Sequence, residues 1–230
     1  MHLTRISKLG GRKSKKWFHK LCEPISQGIQ PRFRIKAMTN VEAVEIWKKS
    51  HWIFSVYTQC LIICLRRFET EIKVGNLNNA GIELETAAEL MLASAKAMEL
   101  AGSFSQQVFQ DQVRPMMMPP NVKSEDFSAL MHWDHAHLMT VLKTIQPLYK
   151  TLPVSLQTQH NKFISAYKVV CASHKTVCQK FGGSEAGSLR APEHTAVDML
   201  DKFQRNRLRL IDPNNQAGGG CPFHSNKSSE

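Results

Sequence analysis

Residues 155–180 read SLQTQHNKFISAYKVVCASHKTVCQK, and the chain then runs through Phe181 into Gly182-Gly183. No glycine or proline interrupts this stretch, and the glycine pair is a strong stop signal, so it predicts one long helix over about 155–180. On that helix His174 and Cys178 lie one turn apart and leave the same face. Tyr167, Val170, Cys171, Val177 and Phe181 share that face, which is apolar and aromatic and therefore buried. An imidazole and a thiol on one buried face suit a flat prosthetic group held from one side, as a covalently tethered heme would be.

Working outward, the rest of the body divides into helix-compatible segments separated by Gly, Pro and Asn, with no alternating β-branched run that would argue for a sheet. A first helix is expected over about 40–74, with Thr39 or Asn40 as N-cap, Glu42 and Glu45 in its first turns, and a stop at Gly75-Asn76-Leu77-Asn78-Asn79. A second is expected over about 80–113, where Leu84, Ala87, Ala88, Met91, Ala95 and Met98 recur at three- and four-residue steps. Its small residues admit close approach of a neighbouring helix. The loop Arg114-Pro115-Met116-Met117-Met118-Pro119-Pro120 ends it, because proline lacks the amide donor a helix needs. Ser124 is the expected cap of a third helix reaching about Lys150, with Glu125 and Asp126 in its first turn. A fifth is expected over about 193–211, stopping at Asp212-Pro213. The expected fold is all-α: four long helices in a bundle plus a C-terminal helix. Residues 1–37 form a basic arm, 38–212 the helical domain, and 213–230 a tail ending in Cys221-Pro222-Phe223-His224 and polar residues.

The third and fourth helices share a short connection and are expected to pack antiparallel. His135 then lies about 22 Å from that connection and His174 about 29 Å, at roughly 1.5 Å per residue. The two rings fall at comparable heights. Met131 and Met139 flank His135 by one turn on either side, and His132 and His137 are further imidazoles on the same helix. Heme could stand between His135 and His174. Asp134, Asp126 and Glu193 are candidate acceptors for the second ring nitrogens. Arg114 is a candidate anchor for a substrate carboxylate or a heme propionate, with Arg190 a second, because guanidinium binds carboxylates bidentately. The three methionines could line an adaptable apolar pocket, although core filling is the commoner use.

His135 followed by His174-Lys175-Thr176-Val177-Cys178 resembles the HxnHxxxC pattern of heme-dependent aromatic (tyrosine-type) hydroxylases in the tryptophan dioxygenase superfamily. The resemblance covers mainly residues 130–183. It implies that His135 and His174 are the axial ligands of a heme iron, that Cys178 forms a thioether to the porphyrin edge, and that both histidines serve catalysis. It further implies a small aromatic, tyrosine-like substrate hydroxylated with peroxide or dioxygen. The alternative is a non-catalytic helical module that binds heme or another protein.

Other classes find less support. The net charge of +11 suggests nucleic acid until it is located: residues 1–36 hold ten Lys/Arg against one acid, so nearly all of the excess sits in the arm. No specific nucleic-acid surface is expected on the body. Six cysteines without a secretion signal suit reduced thiols and a cytoplasmic protein. Trp52–Leu65 is apolar but too short to span a bilayer and is followed by Arg66-Arg67. No Glu-x-x-His pair is present for a di-iron bundle, and only His132/His135 approaches the tight ligand spacing of zinc sites. Homo-oligomerisation is possible.

Overall fold

In the computed structural model, residues 40–122, 133–183, 187–188 and 191–215 are described, all within one compact unit, Met38–Glu230. The expected cap and acids at 124–126, together with His132, Arg190, Cys22, the arm 1–37 and the Cys221–His224 tail, lie outside the described residues.

Four long helices carry the fold: α1 (Asn40–Lys73), α2 (Leu77–Ala101), α3 (Trp133–Lys150) and α4 (Gln157–Lys180). A fifth, α5 (Ala196–Ile211), follows a short antiparallel pair, β1 (Gly187–Ser188) and β2 (Ala191–Thr195). The architecture is all-α, with this hairpin as its one described departure. Each long helix presents an apolar stripe at helical spacing: Leu61, Leu65 and Phe68; Leu84, Ala88 and Met91; Leu138, Val141, Leu142 and Ile145; Phe163, Ile164 and Tyr167. These stripes merge into one core.

The turn between α1 and α2 is set by Gly75, whose φ of 76° lies in the left-handed region. Its N–H bonds the Ile72 carbonyl while the Asn76 N–H reaches back to Glu71, which satisfies the carbonyls left open at the helix end. Asn76 then caps α2 by accepting the Asn79 amide. The α4 terminus repeats the device: Gly182 has φ 87° and the Gly183 N–H bonds the Cys178 carbonyl at 2.8 Å.

Three details differ from the sequence expectation. α2 stops at Ala101, not near Val113. Gly102 caps it, and here glycine is required by packing, because a Cβ would meet the Val177 side chain of α4 at 2.6 Å. Residues 106–117 instead form short irregular helical turns: Gln106–Val108 capped by Ser105, a wider turn over Phe109–Val113, and a tighter one over Arg114–Met117. α5 begins at Ala196, three residues later than expected. Thr195 caps it by accepting the Asp198 amide, so Glu193 and His194 belong to the strand before it.

The third difference bears on the site. α3 and α4 run antiparallel, as expected, but each finds its main partner in the other hairpin. Gln59 to Asp134 at one level and Phe68 against Tyr149 at another lay α3 parallel to α1. Gly81 near Leu156 and Gly102 near Val177 lay α4 parallel to α2, with Lys162–Glu85 and Ser173–Glu99 bonds between. α5 packs against both α3 and α4 and runs antiparallel to α4 along their seam. Lys175–Asp201 ties it at one end (2.9 Å). His160 to the Ile211 carbonyl (2.6 Å) and Gln146 to the Arg209 carbonyl (2.9 Å) tie it near the other.

His160 is buried, stacked on Tyr149 at 4.5 Å, and donates its Nε2–H to Ile211. Burial pushes its pKa below the usual 6.5 despite that hydrogen bond. The unfolded chain therefore takes up the proton more readily, and the fold should lose stability as pH falls below about 6.5. His160→Leu should cost about 1–3 kcal/mol at neutral pH, because the Ile211 carbonyl loses its donor. It should also flatten the acid side of the stability profile. Urea denaturation at pH 7.5 and 5.5 measures both.

Candidate functional site

Where α3 and α4 separate from their connection, side chains from four helices meet. His135 stands near the start of α3, His174 two turns before the end of α4, His51 in the first half of α1, and Arg207 on α5. The Arg207 guanidinium donates to His135 Nε2 at 2.7 Å. A protonated imidazole has no lone pair to accept that bond, so His135 is neutral with its proton on Nδ1. The sequence separation is 72 residues, which is why no local spacing could reveal the pair.

His174 is largely enclosed. Burial lowers its pKa most, and the charges of Arg207, His51 and His135 lower it further, to about 4. Its ring is neutral across the physiological range, and among the described residues neither of its nitrogens has a hydrogen-bond partner. His51 was not singled out by the sequence reading. Its Nδ1–H donates to the Trp47 carbonyl at 2.7 Å and its ring lies 4.2 Å from the Trp47 ring. That bond assigns the tautomer and leaves the lone pair on Nε2. Burial lowers the His51 pKa as well. The apolar run around Trp47 and Trp52 offered no signal for its role, because an isolated histidine on such a face is ordinarily structural.

Cys178 lies one turn beyond His174. Burial raises its thiol pKa to about 11, so it is protonated. Tyr167 and Cys171 occupy the turns before His174. The Tyr167 hydroxyl is buried beside the Cys171 thiol and the Arg207 guanidinium, without a well-formed hydrogen bond to either. Cys60, Cys64, Cys171 and Cys178 are all free thiols.

A second apolar cluster covers this end of the bundle: Ala43, Phe104, Phe109 and Val113, with Trp47, Met117 and Phe181 packed against it. Phe181 stacks on Phe109 at 4.2 Å. Met117 thus acts as core, the commoner of its two expected uses. Arg114 sits on this covering segment, half-buried and without an ion-pair partner among the described residues; it is Arg207, not Arg114, that reaches His135. Asp134, an expected acceptor for a ligand histidine, accepts Gln59 Nε2 at 3.1 Å. Asp126 lies outside the described residues, and Glu193 is placed on β2.

Among the described residues, no three His, Cys, Asp or Glu side chains come together as a cage for a bare metal ion. A shallow groove of about 570 Å³ between α2 and α4, lined by residues such as Ala88, Glu89, Asn161 and Lys162, carries none of the histidines or cysteines and lies on the other side of α4. No described helix is long and apolar enough to cross a membrane.

Residues 13–159 match the family of SfmD 3-methyl-L-tyrosine peroxygenase. The 3-methyl-L-tyrosine peroxygenase of Streptomyces lavendulae is 27% identical over 174 residues, which is 74% of this chain and 47% of that relative. The chain spans about half the length of the curated relative it matches. No solved structure matches it. The family match begins inside the basic arm, takes in His51, Arg114 and His135, and ends before His174 and Cys178. With well over half of its residues in that match, the chain belongs to the 3-methyl-L-tyrosine peroxygenase family.

Proposed function

We propose that this chain is a heme-dependent peroxygenase or oxygenase that hydroxylates a tyrosine-like aromatic substrate, with heme held between His135 and His174 and tethered through Cys178. The observation that carries this reading is the convergence of two neutral imidazoles, from the start of α3 and the end of α4, in one enclosed region beside a guanidinium. Membership in a peroxygenase family supports the reaction class, and the name of the Streptomyces relative supports the substrate class.

The donor set fits the group. A porphyrin brings four nitrogen ligands of its own and needs one or two from the protein, so a pair of histidines without a three-ligand cage is sufficient. His174 has its nitrogens unengaged and is held neutral, which is the ligating form of imidazole. His135 is neutral too, but its Nε2 lone pair is engaged by Arg207, so ligation through that atom requires the guanidinium to move away. Cys178 lies one turn beyond His174 on the same helix, which supports its proposed use as the tether.

Heme bound here would supply the iron that activates peroxide or dioxygen. The chain's own residues contribute orientation, water exclusion and proton handling. Phe104, Phe109 and Phe181 close the end of the bundle against solvent. His51, with its proton fixed on Nδ1 by Trp47, keeps Nε2 as a base able to take a proton from an incoming oxidant and return it. His135 or His174, when not engaged in holding the group, would be available for the same task.

Hemin added to the protein should give a Soret band, and after turnover with peroxide the band should survive acid-acetone extraction and appear as added mass on the intact chain. Cys178→Ala should retain the band and lose its resistance to extraction. His174→Ala should weaken hemin binding by at least about tenfold. A wild-type chain that gives no Soret band contradicts the proposal. In the cofactor-free protein, the ring signals of His174 followed by NMR should stay those of neutral imidazole from pH 8 to about 5 and change only near pH 4.

A further inference from the structure

Among the described residues, Arg207 is a cation without a carboxylate partner. It is half-buried on α5, where Lys175–Asp201 and the Thr195–Asp198 contact use the nearby acids. Among the described residues no Asp or Glu pairs with it. Its polar contacts are the neutral His135 ring at 2.7 Å and the neighbouring Tyr167 hydroxyl, and its guanidinium carbon lies 5.7 Å from the Phe203 ring centre. A neutral imidazole and an aromatic face position this half-buried guanidinium but bring no counter-charge, so an anion would complete the site. Tyr167, 5% exposed, adds a hydroxyl with no well-formed hydrogen bond of its own. A guanidinium fork beside an idle hydroxyl matches the two oxygens of a carboxylate.

We infer that Arg207 and Tyr167 form a carboxylate-binding subsite, and that an arriving carboxylate draws the guanidinium from His135 Nε2 and frees that lone pair. The inference rests on the heme reading in one respect only, the source of the carboxylate: a heme propionate or the carboxylate of an amino-acid substrate. The exchange is of hydrogen bonds alone. His135 gives up a charged donor, and Arg207 exchanges a neutral acceptor for an oppositely charged one that its fork can bind through two oxygens.

Two matched pairs of probes separate the sources. Hemin and hemin dimethyl ester are titrated by Soret absorbance, and tyrosine and tyramine by saturation-transfer NMR, into wild type, Arg207→Gln and Arg207→Lys. Propionate capture predicts that wild type prefers hemin to its diester by more than about tenfold and that Arg207→Gln loses the preference. Substrate capture predicts the same pattern for tyrosine over tyramine. Arg207→Lys should keep part of whichever preference is found. The inference is overturned if wild type shows neither preference, or if a preference survives intact in Arg207→Gln. Should Arg207→Gln fail to fold, as judged by circular dichroism, Tyr167→Phe and Arg207→Lys carry the test, and an unchanged preference in both overturns it. A wild type that takes up no hemin but prefers tyrosine to tyramine through Arg207 would reject the heme reading and keep this one.

Discussion

A buried hydrogen bond, from His160 Nε2 to the Ile211 carbonyl, anchors the C-terminal end of α5, and α5 completes the site. α3 and α4 are joined by a short turn, yet their main packing partners are α1 and α2, so their far halves leave a seam between them. α5 fills it. Ile211 is the one fully buried residue of that helix, and its carbonyl is held where His160 stacks on Tyr149. One turn back along α5, Arg207 is thereby delivered to His135 and to the face of α4 that carries Tyr167, Cys171 and His174. Removing the anchor would loosen the end of α5 from which Arg207 projects, while Lys175–Asp201 still ties its start.

The polarity of the two helical hairpins follows from similar close contacts. Gly102 lets the end of α2 approach Val177, and Lys180 Nζ donates to the Gly102 carbonyl at 2.7 Å, so the ends of α2 and α4 lie together. The phenylalanines of 104, 109 and 181 then stack over that end. The result is an enclosed, electropositive region in which histidines are held neutral, because adding a proton beside Arg207 in a poorly hydrated setting is unfavourable. Neutral imidazole is the form that ligates metal or accepts a proton, so the packing and the proposed chemistry demand the same state.

Much of the helical layout was legible in the chain. Apolar residues at three- and four-residue steps, Gly75 with Asn76, and the pair Gly182-Gly183 mark the helices and two of their ends. The break at Gly102 was not legible, because one glycine among alanines reads as helix until Val177 is seen to occupy the space its Cβ would need. Placing His135 and His174 at matching heights required only rise per residue and an antiparallel connection. Arg207 and His51 could not be found that way. One acts across 72 residues through a guanidinium that resembles any other in RNRLR, and the other owes its tautomer to a carbonyl one turn away. Arg114, expected to anchor a carboxylate because guanidinium binds carboxylates bidentately, lies on the segment that folds over the end of the bundle, while the cation that touches His135 comes from α5.

The central claim is that His135 and His174 address one metal from opposite helices. Electron-nuclear double resonance of the hemin-loaded ferric protein, prepared with ¹⁵N-labelled histidine, addresses that claim directly. The account predicts a low-spin signal coupled to two imidazole nitrogens, with His174→Ala and His135→Ala each removing one. A signal lacking histidine coupling, or one that both substitutions leave intact, would contradict it.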